Sequence, residues 1–98
     1  MLYEWDEAKR VVNLQKHGLD FLDVDLVLES PYVRIVDSPR GSQMRQQAFA
    51  YVFERLHVLT VVFVPGDNHC RVISFRPAKR KEKDSYYEWL EKNDRDDQ

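Results

Sequence analysis

Cysteine is nearly absent from this sequence: Cys70 stands alone. No intrachain disulfide can form, and a reducing, cytoplasmic setting is the expectation. Glycine is scarce as well, with only Gly18, Gly41 and Gly66. Neither a phosphate-binding loop nor a dinucleotide fingerprint can be assembled from them. The three histidines, His17, His57 and His69, are scattered, and only His69 has a cysteine beside it. That spacing fits no zinc site. There is no tight carboxylate cluster for paired magnesium ions and no nucleophile-elbow motif, so neither metal nor cofactor is expected. Apolar runs are short. The pair Val58–Leu59 and Val61–Val64, broken by Thr60, has the length of a strand, far below the roughly 20 residues that span a bilayer. The opening residues Met1 to Asp6 lack a basic region followed by an apolar stretch, so neither a secretory signal nor a membrane association is expected.

What remains is a compact, charged composition. The 98 residues are 43% hydrophobic and 33% charged, a globular balance with room for a single domain, residues 1–98. The net charge is −2, which by itself argues against a nucleic-acid partner. Its distribution argues otherwise. Arg71, Arg76, Lys79, Arg80, Lys81 and Lys83 face Glu82 as the only acid of their stretch, and the chain from Asp84 onward is mainly acidic. A patch of one sign attracts phosphates even on a slightly acidic protein. The plainer reading is a solvated helix start followed by an acidic end.

Leu2–Trp5 alternates like an edge strand. Asp6 can accept the free amides of a first helical turn, Glu7 suits the dipole there, and Gly18 can take the left-handed conformation that ends a helix. Ala8, Val11 and Val12 are the expected buried stripe of that helix. A second helix is expected from Asp20, burying Phe21, Val24, Val27 and Leu28 and stopping before Ser30-Pro31. β-Branched and aromatic residues then predict strands at Tyr32–Val36, Arg45–Phe53, His57–Val64 and Cys70–Arg76. Between the last three, the connections Glu54–Leu56 and Pro65–His69 have hairpin length. From Lys79 the chain reverts to helix formers, with Tyr86, Trp89 and Leu90 on one side, and residues 93–98 are expected to fray. The fold class is α+β: two N-terminal helices, an antiparallel meander of about four strands, and a C-terminal helix. The strand Val58–Val64 is apolar on both faces. Either the domain's own helices cover both, or a partner covers one.

Two constellations could carry chemistry. Lys9, Asn13, Lys16 and His17 share one face of the first helix, as a binding face or simply as its wet side. On the last strand, strict alternation places Val72, Ser74 and Arg76 on one face and Arg71, Ile73 and Phe75 on the other. Arg76 would then join Arg45 on the open sheet surface near Lys79, Arg80 and Lys81, making a phosphate cradle, because guanidinium grips phosphate oxygens bidentately. The alternative for Arg76 is a rim salt bridge to Glu82 or Asp37.

These strings carry a family resemblance. Trp5-Asp6-Glu7-Ala8-Lys9, Asn13, Lys16-His17-Gly18 and Phe21 resemble the opening of the BrnT toxins of type II toxin–antitoxin systems. The stretch Arg71 to Ala78, then Arg80, Glu82 and Tyr86, resembles that family's last strand and helix start, and Asp37 and Arg45 fit between them. The resemblance spans residues 2–87. It implies a RelE-like ribonuclease fold that cleaves RNA without a metal and so inhibits translation. It also implies a BrnA-like ribbon-helix-helix antitoxin, a heterotetramer with two copies of each chain, and repression of the system's own promoter through the antitoxin. Two positions depart from the family pattern: Gln43 stands where an acid is usual, and Ala50 where a glycine often follows.

Metal-free cleavage requires the ribose 2′-OH to attack the adjacent phosphate, with proton removal, charge stabilisation and a proton for the leaving oxygen. The expected catalytic set is Arg45, Arg76 and Arg80 on the phosphate and His17 as proton shuttle, with Lys9 as the second candidate. Glu82 would orient an arginine or act as base. Lys16, Asn13, Lys79, Lys81 and Tyr86 are the expected RNA contacts, Tyr86 by stacking. The rivals are a non-enzymatic binding module, a metal-dependent nuclease, and a degenerate toxin that keeps the fold without the activity.

Overall fold

The computed structural model describes residues 1–96, with side chains through Asn93. Strand β1 is Leu2–Glu4 and helix α1 is Glu7–His17. The Asp6 carboxylate accepts the amides of Ala8 and Lys9 at 2.9 and 3.2 Å. Gly18, at φ 68°, closes the helix with its N–H on the Leu14 carbonyl. Both ends of α1 therefore sit where the sequence places them. The second helix does not form as one element. A 3-10 turn, Phe21–Asp23, capped by Asp20, leads into α2, only Asp25–Leu28. Phe21, Val24 and Val27 are buried as expected, while Leu28 is only partly so.

Strands β2 (Arg34–Asp37), β3 (Gln46–Val52), β4 (His57–Gly66) and β5 (His69–Pro77) follow, then α3 (Arg80–Asp96). The sheet has five strands in the order β1-β5-β4-β3-β2. It is mixed: β1 runs parallel to β5, and the other pairs are antiparallel. The expectation of about four antiparallel strands misses this parallel edge, because no hairpin joins β1 to β5. Of the residues 93–98 expected to fray, those through Asp96 are assigned to α3, and residues 97–98 lie outside the described residues.

The chain's own helices cover both faces of β4. On one, Leu59, Val61 and Phe63 meet Phe21, Val24 and Val27 in the main core. On the other, Phe49 and Val58 meet Tyr86, with Trp89 and Leu90 of α3 packed alongside. That second cover is partial, since Val62 and Val64 are only half-buried. None of the described helices is long and apolar enough to cross a membrane.

Two local departures from the sequence expectations shape the rest of the molecule. First, Ala8, Val11 and Val12 are exposed, and the one buried residue of α1 is Asn13. Its side-chain amide donates to the carbonyls of Leu19 and Phe75, at 3.0 and 2.7 Å, and its Oδ1 accepts from the Phe75 N–H at 3.1 Å. Pairing of β1 with β5 ends at Glu4 opposite Arg71. Beyond that point Asn13 supplies the donor and acceptor that a continuing strand would have offered to β5. Second, β5 carries a bulge. Val62 pairs with Ser74 but Phe63 pairs with Val72, so Ile73 is an extra residue. Cys70, Val72 and Phe75 all face the main core, and the strict alternation expected for this strand is broken at Ile73.

Candidate active site

Two clefts meet along the bulged part of β5. The first lies between α1 and β5. Lys9, Val12, Lys16 and His17 line it from the helix, and Ile73 and Ser74 from the strand. The second lies on the sheet face not covered by the main core. Arg40, Arg45, Gln47 and Arg76 surround it, and Ile73 and Ser74 again form part of its wall. The amines of α1 and the guanidiniums of the β2–β3 connection and β5 thus flank one ridge of two residues.

Local structure explains the positions. The β2–β3 connection folds back on itself: the Ser38 N–H bonds the Arg45 carbonyl at 2.8 Å, and Arg40 and Gln43 exchange backbone hydrogen bonds at 3.0 Å. This brings Arg40 and Arg45 to the same cleft. Arg45 Nε donates to Gln43 Oε1 at 2.6 Å. Gln43 is uncharged, so it orients the guanidinium without cancelling its charge.

Arg76 is held differently. Its Nη1 and Nη2 donate to the two carboxylate oxygens of Glu82 at 2.8 and 3.0 Å, with 17% of the Arg76 side chain left accessible. The Glu82 Oε1 also accepts the Lys79 N–H at 2.8 Å, which satisfies a free amide at the start of α3. Hydrogen bonding to Arg76 holds the Glu82 carboxyl below its ordinary pKa, against an opposing effect of burial. The salt bridge foreseen as the alternative for Arg76 therefore exists, and Arg76 lines the cleft as well.

Burial lowers the pKa of His17 below its ordinary 6.5, and the positive charges of Lys16 and Arg76 lower it further. His17 and Arg76 line the two clefts that share the Ile73–Ser74 wall. A neutral imidazole at pH 7 can accept a proton.

Several expected site residues have other roles or lie outside the clefts. Asn13 lines the first cleft, but its side-chain amide is committed to the backbone of Leu19 and Phe75, a structural clasp in place of the expected RNA contact. Tyr86 is 0% exposed. Its hydroxyl donates to the Tyr32 carbonyl at 2.8 Å and accepts the Tyr51 N–H at 3.3 Å. A ring enclosed in this way cannot stack on a base, and that expectation is corrected too. Arg80 and Lys79 are exposed at the start of α3 and line neither cleft. Lys81 lines a separate groove with Arg34, Phe49 and Glu82. The sequence analysis did not single out Arg40, which lines the second cleft. The signal was a basic residue five positions before Arg45 in a loop rich in turn formers. Among the described residues, no three His, Cys, Asp or Glu side chains come together as metal ligands.

Residues 5–82 match the profile of a family described as the ribonuclease toxin, BrnT, of type II toxin–antitoxin systems. That span includes both clefts and ends at Glu82. No curated protein matches the chain.

Proposed function

The chain belongs to the BrnT family of ribonuclease toxins of type II toxin–antitoxin systems, and from that premise we propose that it is a metal-independent endoribonuclease acting at the ridge between the two clefts. The observation that carries this reading is the convergence of Arg45 and Arg76 on one cleft whose wall is shared with the cleft that holds His17. Arg45 and Arg76 grip the non-bridging oxygens of the scissile phosphate. His17 accepts the proton of the ribose 2′-OH as that oxygen attacks phosphorus. The P–O5′ bond breaks, the 5′-oxygen takes up a proton from solvent water, and the products are a 2′,3′-cyclic phosphate and a 5′-hydroxyl. Fixed cations aimed at the pentacoordinate phosphate stabilise charge that exists only in the transition state.

In the cell this activity inhibits translation in the cytoplasm. Membership of a type II family implies a protein antitoxin. We assign that role to a BrnA-like ribbon-helix-helix protein, which neutralises the toxin in a two-plus-two assembly and with it represses their shared promoter.

The test is incubation of the purified protein with single-stranded RNA in excess chelator. Wild type is expected to cleave, and Arg76→Ala to lose about 10²–10³-fold in rate. Cleavage by wild type that disappears in chelator points to the metal-dependent rival. Retention of RNA without cleavage points to a binding module or a degenerate toxin, the reading that Gln43 in place of an acid would favour.

A further inference from the structure

We infer that the cleft between α1 and β5 is the seat of the unpaired nucleotide that adjoins the scissile phosphate, so that the substrate is a single strand draped over the Ile73–Ser74 ridge. This rests on the ribonuclease reading and adds a second subsite to it.

The cleft exists because the parallel edge is incomplete. Pairing of β1 with β5 stops at Glu4–Arg71, and Asn13 takes over at Phe75. The edge of β5 between those points faces α1 across open space of about 380 Å³, within the roughly 300–1,000 Å³ of sites that hold small ligands. The chemistry of its lining suits a nucleotide. Val12 is 60% exposed, and the bulge leaves Ile73 only half-buried beside the same space. Together they present an aliphatic platform for the face of a base. Lys9 and Lys16 stand at its rim and supply charge for the sugar-phosphate chain. The one acid in the lining, Asp6, is already engaged with the amides of Ala8 and Lys9. Asn13, the amide that could have read a base edge, is spent on backbone. The face of a base therefore rests on the platform, and Ser74 and His17 are the neutral polar side chains of the lining left to meet its edge.

Continuity gives the direction of the strand. Ile73 and Ser74 wall both clefts, so a chain whose phosphate lies between Arg45 and Arg76 reaches the Val12–Ile73 platform in its next residue. Paired bases cannot be splayed over such a ridge, which makes duplex RNA a poor substrate.

The experiment uses 2′-O-methyl strands with one cleavable ribose: the complete strand, the same strand with the base missing from the residue on the 5′ or the 3′ side of the scissile phosphate, and the complete strand annealed to its complement. Wild type is expected to gain about ten-fold or more in kcat/KM from the base on one side, and to lose that gain in the duplex. Val12→Asp, and the milder Val12→Gln, are expected to abolish the gain while the strand lacking that base is cleaved at the wild-type rate. Lys9→Ala with Lys16→Ala is expected to reduce the salt dependence of the complete strand. An undiminished gain in Val12→Asp overturns the subsite. Fluorescence anisotropy with a fully 2′-O-methyl strand decides the matter without cleavage: equal affinity in wild type and Val12→Asp also overturns it. If wild type cleaves nothing but Val12→Asp still binds the blocked strand about ten-fold more weakly, the catalytic reading fails and the subsite stands.

Discussion

Asn13 and Phe75, 62 residues apart, exchange a reciprocal pair of hydrogen bonds: the Asn13 amide donates to the Phe75 carbonyl, and its oxygen accepts the Phe75 N–H. One polar side chain therefore closes the edge of the sheet and fixes α1, with His17 four residues further on, against the strand that carries Arg76.

Replacing that side chain should disturb both stability and chemistry. Asn13→Ala leaves the N–H and C=O of Phe75 without their partners in a buried setting, a loss of about 2–4 kcal/mol. Urea unfolding should show a lower midpoint with an unchanged slope. Asn13→Asp keeps the acceptor for the Phe75 N–H but sets a carboxylate oxygen against the Leu19 and Phe75 carbonyls, and should be at least as damaging as Asn13→Ala. RNA cleavage below the unfolding transition should fall in both variants, because α1 loses its anchor.

The acidic side of the pH–rate profile should report His17. Its pKa is lowered by burial first and then by Lys16 and Arg76, so the neutral base persists below pH 6.5. Lys16→Gln removes one of these causes and should move the acidic limb to higher pH, as measured on a short substrate at constant ionic strength. In stability the sign is also fixed. An imidazole with a depressed folded pKa binds fewer protons than the unfolded chain. This group's contribution should fall as pH drops from 6.5 toward the folded value and level off below it.

Glu82 should give the opposite kind of linkage window. Arg76 holds its carboxyl below the ordinary value of 4.5. The stabilisation is fully present above 4.5 and is lost as pH falls through the depressed folded value. A melting-temperature series from pH 7 to acid should therefore be steeper for wild type than for Glu82→Gln. The same variant loosens the two-point hold on Arg76, and its kcat should fall more than its KM changes.

Tyr86→Phe tests the separation of core from site. Two hydrogen bonds, to Tyr32 and Tyr51, would be lost, at a cost of about 1–3 kcal/mol. That lowers the melting temperature by roughly 4–8 °C per kcal/mol in a domain of this size. Cleavage well below that temperature should keep its wild-type rate, an outcome that a base-stacking role for Tyr86 would not allow.

Local signals were legible in the sequence. The Asp6 carboxylate and Gly18 bound α1 because capping depends on neighbours within a few residues. The strands at Arg34–Asp37, Gln46–Val52, His57–Gly66 and His69–Pro77 follow β-branched and aromatic runs. Lys9, Lys16 and His17 share a cleft because they share a helix face. Illegible were features set by distant partners. The parallel contact of β1 with β5 has no turn to announce it. Asn13 is buried only because Phe75 arrives beside it from the other end of the chain, and Val11 and Val12 stay exposed because the sheet edge takes up that amide in place of an apolar stripe. Tyr86 sits at the helical spacing of core residues, and its aromatic ring alone suggests base stacking, whereas its surroundings of Phe49 and Val58 make it a core residue.

The extra residue at Ile73 fixes which side of the protein each half of β5 serves. Side chains alternate with a period of two, so shortening the strand by that residue would exchange the faces of one half relative to the other. Either Phe75 would turn outward and Arg76 would be driven into the hydrocarbon interior, or Cys70 and Val72 would trade places with their neighbours. A deletion at this position is therefore expected to disrupt the core where a substitution there would not, so the length of β5 constrains the fold as much as its sequence does.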